Sequence, residues 1–234
     1  MGQHFGAGSI SGVKSKVDRI DYSNDTATMS PKGPLSAARY NLAATGARAN
    51  GFTVVGLALV SNAAAIAGSF NPTNFGYFGG GATGPTVKST VDRIDYSNDT
   101  ATASPKGPLS AVSYYFAATG NSFFGYFGGG ATPGPAAGIS IVDRVDYSND
   151  TATAVAKGPL SSGRHSLGAT GNTDFGYFVG GASPTVSTID RIDYSNDTAT
   201  ASVRGSNNYP QLGIAATGNQ SFGYVGGGAE GAYT

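Results

Sequence analysis

Acidic and basic side chains stand side by side four times in this 234-residue chain: VDRIDYSNDTAT from Val17, VDRIDYSNDTAT from Val91, VDRVDYSNDTAT from Val142 and IDRIDYSNDTAT from Ile189. Two chemistries are open to such a block. A carboxylate beside a guanidinium is raw material for acid–base catalysis, and Asp-x-Ser-x-Asp (Asp21, Ser23, Asp25; Asp95, Ser97, Asp99) begins like a calcium loop. Neither fits the rest of the block. A calcium loop of that type continues with Gly at its sixth position and Glu at its twelfth, where this chain has Thr26 and Lys32. A polar turn, in which short side chains satisfy nearby backbone amides, is the better reading. Catalysis needs one asymmetric pocket, whereas these charges come in four equal copies. Asp92, Arg93, Asp95, Asp143, Arg144, Asp190 and Arg191 are therefore read as structural, forming a ladder of salt bridges or hydrogen bonds repeated once per unit. Where such charges are partly buried they must be paired.

The remaining chemistry is thin. Outside the repeated block the only carboxylate side chains are Asp174 and Glu230, too few for the paired acids of a glycan-cleaving enzyme. There is no Cys, which excludes disulfides, thiolate metal sites and cysteine nucleophiles, and only His4 and His165 carry imidazole. No cofactor is expected. Fourteen Lys+Arg balance fourteen Asp+Glu, so the basic footprint of a nucleic-acid binder is missing. FGYFGGG (Phe75, Phe124) opens no helix and is followed by no Lys-Ser or Lys-Thr, so it is no phosphate cradle. The apolar run Gly51–Phe70 is split by Ser61-Asn62 and loosened by glycines, and a buried hairpin or insertion is preferred to a membrane span. The opening residues have neither the basic nor the apolar region of a secretory leader.

The elements that position the repeated charges follow from the repeat itself. The blocks begin 74, 51 and 47 residues apart, and each is accompanied by an ATG segment (NLAATG, YFAATG, SLGATG, GIAATG) and an FGY segment ending in glycines. The first spacing is long because residues 47–74 are inserted between ATG and FGY. Short strands alternate with turn residues, predicting four strands per unit: Tyr40–Gly46, Phe75–Gly79, Thr90–Tyr96 and Asp99–Ser104, and again in each copy. A period near 50 with four strands predicts a propeller blade. The fold expected is all-β: one small β-propeller over residues 1–234, with about four four-stranded blades. The N-terminal part supplies an outer pair of strands and the C-terminal part an inner pair, so pairing of the terminal strands would close the ring and remove a sheet edge. The competing expectation is that the same halves seal between molecules. Ala43–Gly46 and its copies, small throughout, suit a crowded axis, and Phe75, Tyr77 and Phe78 fill the wedges.

The glycine doublet after an aromatic strand, followed by a strand ending in Tyr and a polar turn, resembles the kelch repeat of β-propellers. Kelch blades usually place a Trp after that turn, where this chain has Met29, Ala103, Ala154 and Ala201. The combination DRIDYSNDTAT, KGPLS, AATGN and FGYFGGG resembles repeats in virion structural proteins of tailed phages that infect marine cyanobacteria. That resemblance implies a non-enzymatic protein of the phage particle, extracellular, in the tail or a fibre, with other virion proteins or further copies of itself as partners and host recognition as a task. A carbohydrate-binding adhesin gripping a host-surface glycan is the alternative, and a glycan-active enzyme a distant third. Candidate binding residues lie where the symmetry fails: Leu57, Leu59, Ile66 and Phe70 in the apolar insert, and Arg204, Asn207, Asn208 and Tyr209, which replace the KGPLS turn of the last unit.

Overall fold

The computed structural model describes residues 14–19, 23–24, 26–46, 75–134 and 137–230, and they are all-β. An N-terminal strand pair, β1 (Val17–Arg19) and β2 (Ser30–Lys32), comes first. Sheet 1 contains β3 (Ala43–Gly46), β4 (Phe75–Gly79), β7 (Val91–Asp95) and β8 (Ser104–Lys106). A small ribbon of β5 (Ala82–Thr83) and β6 (Thr86–Val87) lies within its β4–β7 connection. Sheet 2 contains β9 (Ala117–Gly120), β10 (Phe124–Gly128), β11 (Val142–Asp146) and β12 (Val155–Ala156). Sheet 3 contains β13 (Gly168–Gly171), β14 (Phe175–Val179), β15 (Thr188–Asp193) and β16 (Ser202–Ser206). A C-terminal pair, β17 (Ala215–Gly218) and β18 (Gly223–Gly226), ends the array. Each four-stranded sheet is an antiparallel meander in chain order.

The same local chemistry recurs along the array, in the first hairpin of sheets 2 and 3 and of the C-terminal pair, and in the register of all three full sheets. In the first hairpin an Asn side chain turns the chain: Asn121 Oδ1 accepts from the amides of Phe123 (2.9 Å) and Phe124 (3.0 Å), and Asn172 and Asn219 repeat this. The register is also constant, with Tyr77 opposite Arg93, Tyr126 opposite Arg144 and Tyr177 opposite Arg191. Each of these arginines lies over the Phe that begins the neighbouring strand, 4.0–4.3 Å from the ring centre. The third strand then stops because Asp95 caps a 3-10 turn, Tyr96–Asn98, by accepting from the Ser97 amide at 2.8 Å. This corrects the expected fourth strand: it begins at Ser104, and residues 99–102 are still turn.

Successive sheets stack through apolar faces, with the inner strands β3, β9, β13 and β17 packed one on the next. The smallness of these strands and of their neighbours has a cause: a side chain at Gly171 or Gly218 would collide with the hydroxyl of Thr119 or Thr170 in the preceding sheet, and one at Gly125 or Gly176 in the adjoining strand with the methyl of Thr45 or Thr119. Further out, Tyr77, Phe127 and Tyr147 fill the wedge between sheets 1 and 2, and Tyr126, Phe178 and Tyr194 that between sheets 2 and 3. Fully burying one such ring contributes about 1.5–3 kcal/mol. Linkers staple the joints. Gly33, Gly107 and Gly158 donate to the carbonyls of Asp99, Asp150 and Asp197 in the following sheet at 2.7–2.8 Å. A Cβ at Gly107 would run into the Ala152 carbonyl, so Gly107→Ala is expected to cost about 3 kcal/mol in a urea melt.

The two terminal pairs are separate two-stranded sheets, and no closed ring is formed among the described residues. The insert 47–74, with Leu57, Leu59, Ile66 and Phe70, lies outside the described residues.

Candidate interface at the open end of the array

Each internal joint is organised around one aspartate. Asp150 of sheet 2 receives Arg93 Nη1 (2.7 Å), the Tyr77 hydroxyl (3.0 Å) and Lys106 Nζ (3.5 Å), all from sheet 1. Asp197 of sheet 3 receives Arg144 (2.8 Å), Tyr126 (2.9 Å) and Lys157 (3.3 Å) from sheet 2. Asp99 receives Arg19 (2.8 Å) and Lys32 (3.3 Å) from the N-terminal pair. The tyrosines also stack across the joints, Tyr77 on Tyr147 and Tyr126 on Tyr194, at 4.7 Å. Burial, reinforced by the adjacent carboxylate, pushes the Tyr77 and Tyr126 phenols well above their ordinary range. The two phenols therefore stay neutral and donate to the aspartates that latch one sheet to the next.

A second acid ladder works within each sheet. Asp92 is fully buried against Arg39 (2.6 Å) and the Ser36 amide (3.1 Å). Asp190 repeats this with Arg164 (2.9 Å) and the Ser161 amide (2.9 Å). In sheet 2 the arginine place is taken by Ser113, and Asp143 keeps the Ser110 amide (2.9 Å) while its Oδ1 has no hydrogen-bond partner. Desolvation raises the Asp143 pKa above the ordinary carboxylate value. Between the unfolded and the raised folded value the native state holds a proton that the unfolded chain has released. The stability this group contributes is therefore present at acid pH and lost as pH rises through its folded pKa. Asp143→Asn is expected to raise the melting temperature at pH 7, with the gain shrinking as the pH is lowered, checked by thermal melts across that range.

Beyond sheet 3 the joint is unfilled. Tyr177 is half-buried, where Tyr77 and Tyr126 are completely buried. Arg191 rests on the Phe175 ring at 4.1 Å, and among the described residues no carboxylate pairs with it as Asp150 and Asp197 pair with Arg93 and Arg144. Arg204 occupies the repeat position of Lys32, Lys106 and Lys157, and is exposed. A cleft of about 330 Å³ opens here, lined by Tyr177, Val179, Ile189, Arg204, Phe222 and Val225. Strand β18 lies exposed along it, with Phe222 at 65% and Tyr224 at 60%. Gly79 and Gly128 face the rings of Phe127 and Phe178, but the corresponding Gly226 faces open space.

The structure places Arg204 at this cleft and Asn207, Asn208 and Tyr209 on the linker that follows β16. Asn207 donates to Gln211 Oε1 (2.6 Å), and Tyr209 is 59% exposed. His165 is held between the hydroxyls of Ser166 (3.0 Å) and Ser183 (3.3 Å), and desolvation lowers its pKa. Among the described residues there is no cluster of three or more metal-ligating side chains, and no helix long and apolar enough to cross a membrane. Two participants were missed from the sequence: the repeated lysine of the joints, and the Arg39/Arg164 partner of the second ladder. Aligning SAARY, SAVSY and SSGRH would have exposed the last. Comparison with protein-family models and with curated proteins returns no match.

Proposed function

We propose that this chain is a non-enzymatic structural protein of a phage particle, a kelch-like propeller module that works by protein–protein attachment. The observation that supports this reading is how the repeated charges are spent. The carboxylates of both ladders are engaged in structural pairs: Asp99, Asp150 and Asp197 tie one unit to the next, and Asp92 and Asp190 fasten their own sheets. What remains is a rigid scaffold with an open end. The kelch comparison also gains a physical basis: Ala103, Ala154 and Ala201 are buried, and each shares a cluster with a linker leucine, Leu35, Leu109 or Leu160. In this reading the fourth blade is assembled from β1–β2 and β17–β18, and the other partners are virion proteins at the particle surface, tail or fibre. Antibodies raised against the chain should decorate purified cyanophage particles in electron micrographs; particles that carry none would remove the reading.

A carbohydrate-binding role is the second reading, favoured by the exposed Tyr209 and Asn208 on the linker after β16. An aromatic face with an adjacent amide suits a sugar ring. Glycan-array binding that disappears in Tyr209→Ala would support it, and a blank array would dismiss it.

A further inference from the structure

We infer that the cleft at the open end receives the N-terminal strand pair of a second copy of this chain, so that copies join head to tail with a four-stranded sheet at every junction. The inference rests on the reading of the chain as an array of propeller-type blades, and three observations carry it. The first is the sheet edge. Strand β18 is the counterpart of β4, β10 and β14, each of which is paired on both sides, yet β18 is paired only with β17. The register conserved in the three full sheets sets β1 against it, with Val17 opposite Gly226, Asp18 opposite Val225 and Arg19 opposite Tyr224.

The second is charge. Tyr177 and Arg191 stand where Tyr77 and Arg93 meet Asp150, Arg204 takes the sequence position of Lys106 at a bulge of β16, and the open end supplies no aspartate to them among the described residues. In the repeat, the position of Asp99, Asp150 and Asp197 is held in the N-terminal copy by Asp25. An incoming N-terminal pair brings the one charge this face lacks.

The third is size. At the three joints seen here a linker leucine packs in the same cluster as an alanine of the next unit: Leu35 with Ala103, Leu109 with Ala154, Leu160 with Ala201. At the open end both residues change together. The linker position is Asn207, and the facing position in the N-terminal copy is Met29, which is 50% exposed. A smaller linker residue matched to a larger partner is what a real contact between these two surfaces requires.

The occupant is a second copy because the chain's own N-terminal pair is seated at the far end, through Arg19 and Lys32 on Asp99. The row of inner strands does not return on itself either. Gly125, Gly176 and Gly223 each have a threonine methyl of the preceding unit among their nearest neighbours, whereas the nearest atoms to Gly76 all belong to the Tyr96 side chain.

The chain has no Cys, so introduced pairs report cleanly. Asp18→Cys combined with Val225→Cys should give, after mild oxidation, disulfide-linked dimers and longer ladders on a non-reducing gel. A disulfide confined within single chains, or no disulfide at high micromolar protein, would overturn the inference. A ring closed within one chain would still leave the virion reading standing, because particle decoration is scored independently. Charge reversal supplies the second measurement. Arg191→Glu with Arg204→Glu should abolish the concentration-dependent rise in sedimentation coefficient, and adding Asp25→Lys to that chain should restore it. Assembly unaffected by the reversal, or not restored by the third change, would also overturn it.

Discussion

Replacing Asp190 with alanine is expected to lower the unfolding free energy by about 3–5 kcal/mol in urea denaturation, the usual cost of leaving a buried charge without its partner. Arg164 is 1% exposed and its guanidinium is aimed at the Asp190 carboxylate, with the Phe178 carbonyl as a more distant acceptor at 3.4 Å. Removing the acid strands a cation in the interior, and the Ser161 amide loses its acceptor as well. The double variant Arg164→Met with Asp190→Leu is expected to recover most of the loss, because an apolar pair carries no desolvation cost. Sheet 2 already shows a half-step of this kind. With Ser113 in the arginine place, Asp143 remains as a desolvated acid. A double variant no more stable than Asp190→Ala alone would mean that the ion pair sets local geometry that packing cannot replace.

The second large effect is expected at the joint between sheets 2 and 3. Asp197→Ala removes the acceptor of Arg144, Lys157 and Tyr126 at once, at a cost of about 3 kcal/mol. The consequence should differ in kind from the Asp190 case. Asp190 is an internal fastening of sheet 3, whereas Asp197 ties sheet 3 to sheet 2. In an array whose units contact only their neighbours, weakening one joint uncouples what lies on either side. Asp197→Ala should therefore split the denaturation transition into two, with sheet 3 and the C-terminal pair unfolding first. A single sharp transition merely shifted to lower urea would argue that the Tyr126–Tyr194 stack and the apolar wedge alone keep the sheets coupled.

Much of this architecture is legible in the residues. Turn chemistry locates the hairpins, the FGY and VDRID segments are strands in every complete unit, and the all-β class follows from their spacing. Two things were not legible, for physical reasons. The fourth strand starts late because Asp95 folds its own chain into a capped turn, a local competition that strand propensity does not reveal. The partner of Arg93 is Asp150, 57 residues away. Repetition offers Asp92, Asp95, Asp99 and their copies as equally good partners, and only the stacking of sheets selects one. At the open end, the departures Met29 and Asn207 are each visible alone, but they acquire meaning only when the internal joints show that their counterparts touch. The candidate residues Arg204, Asn207, Asn208 and Tyr209 were found because they break the repeat, and of the four the structure puts Arg204 in the lining of the unfilled joint.

The account turns on the repeated polar residues being joints, with the face beyond sheet 3 as a joint still unfilled. Amide hydrogen exchange of β18 reports on this directly. In dilute solution, where the chain sediments as a monomer, the Gly223–Gly226 amides should exchange much faster than those of β4, β10 and β14, and they should become protected as concentration rises and mass increases. Amides of β18 as slow as those of the three full sheets in a dilute monomer would contradict the account, because the edge would already be filled.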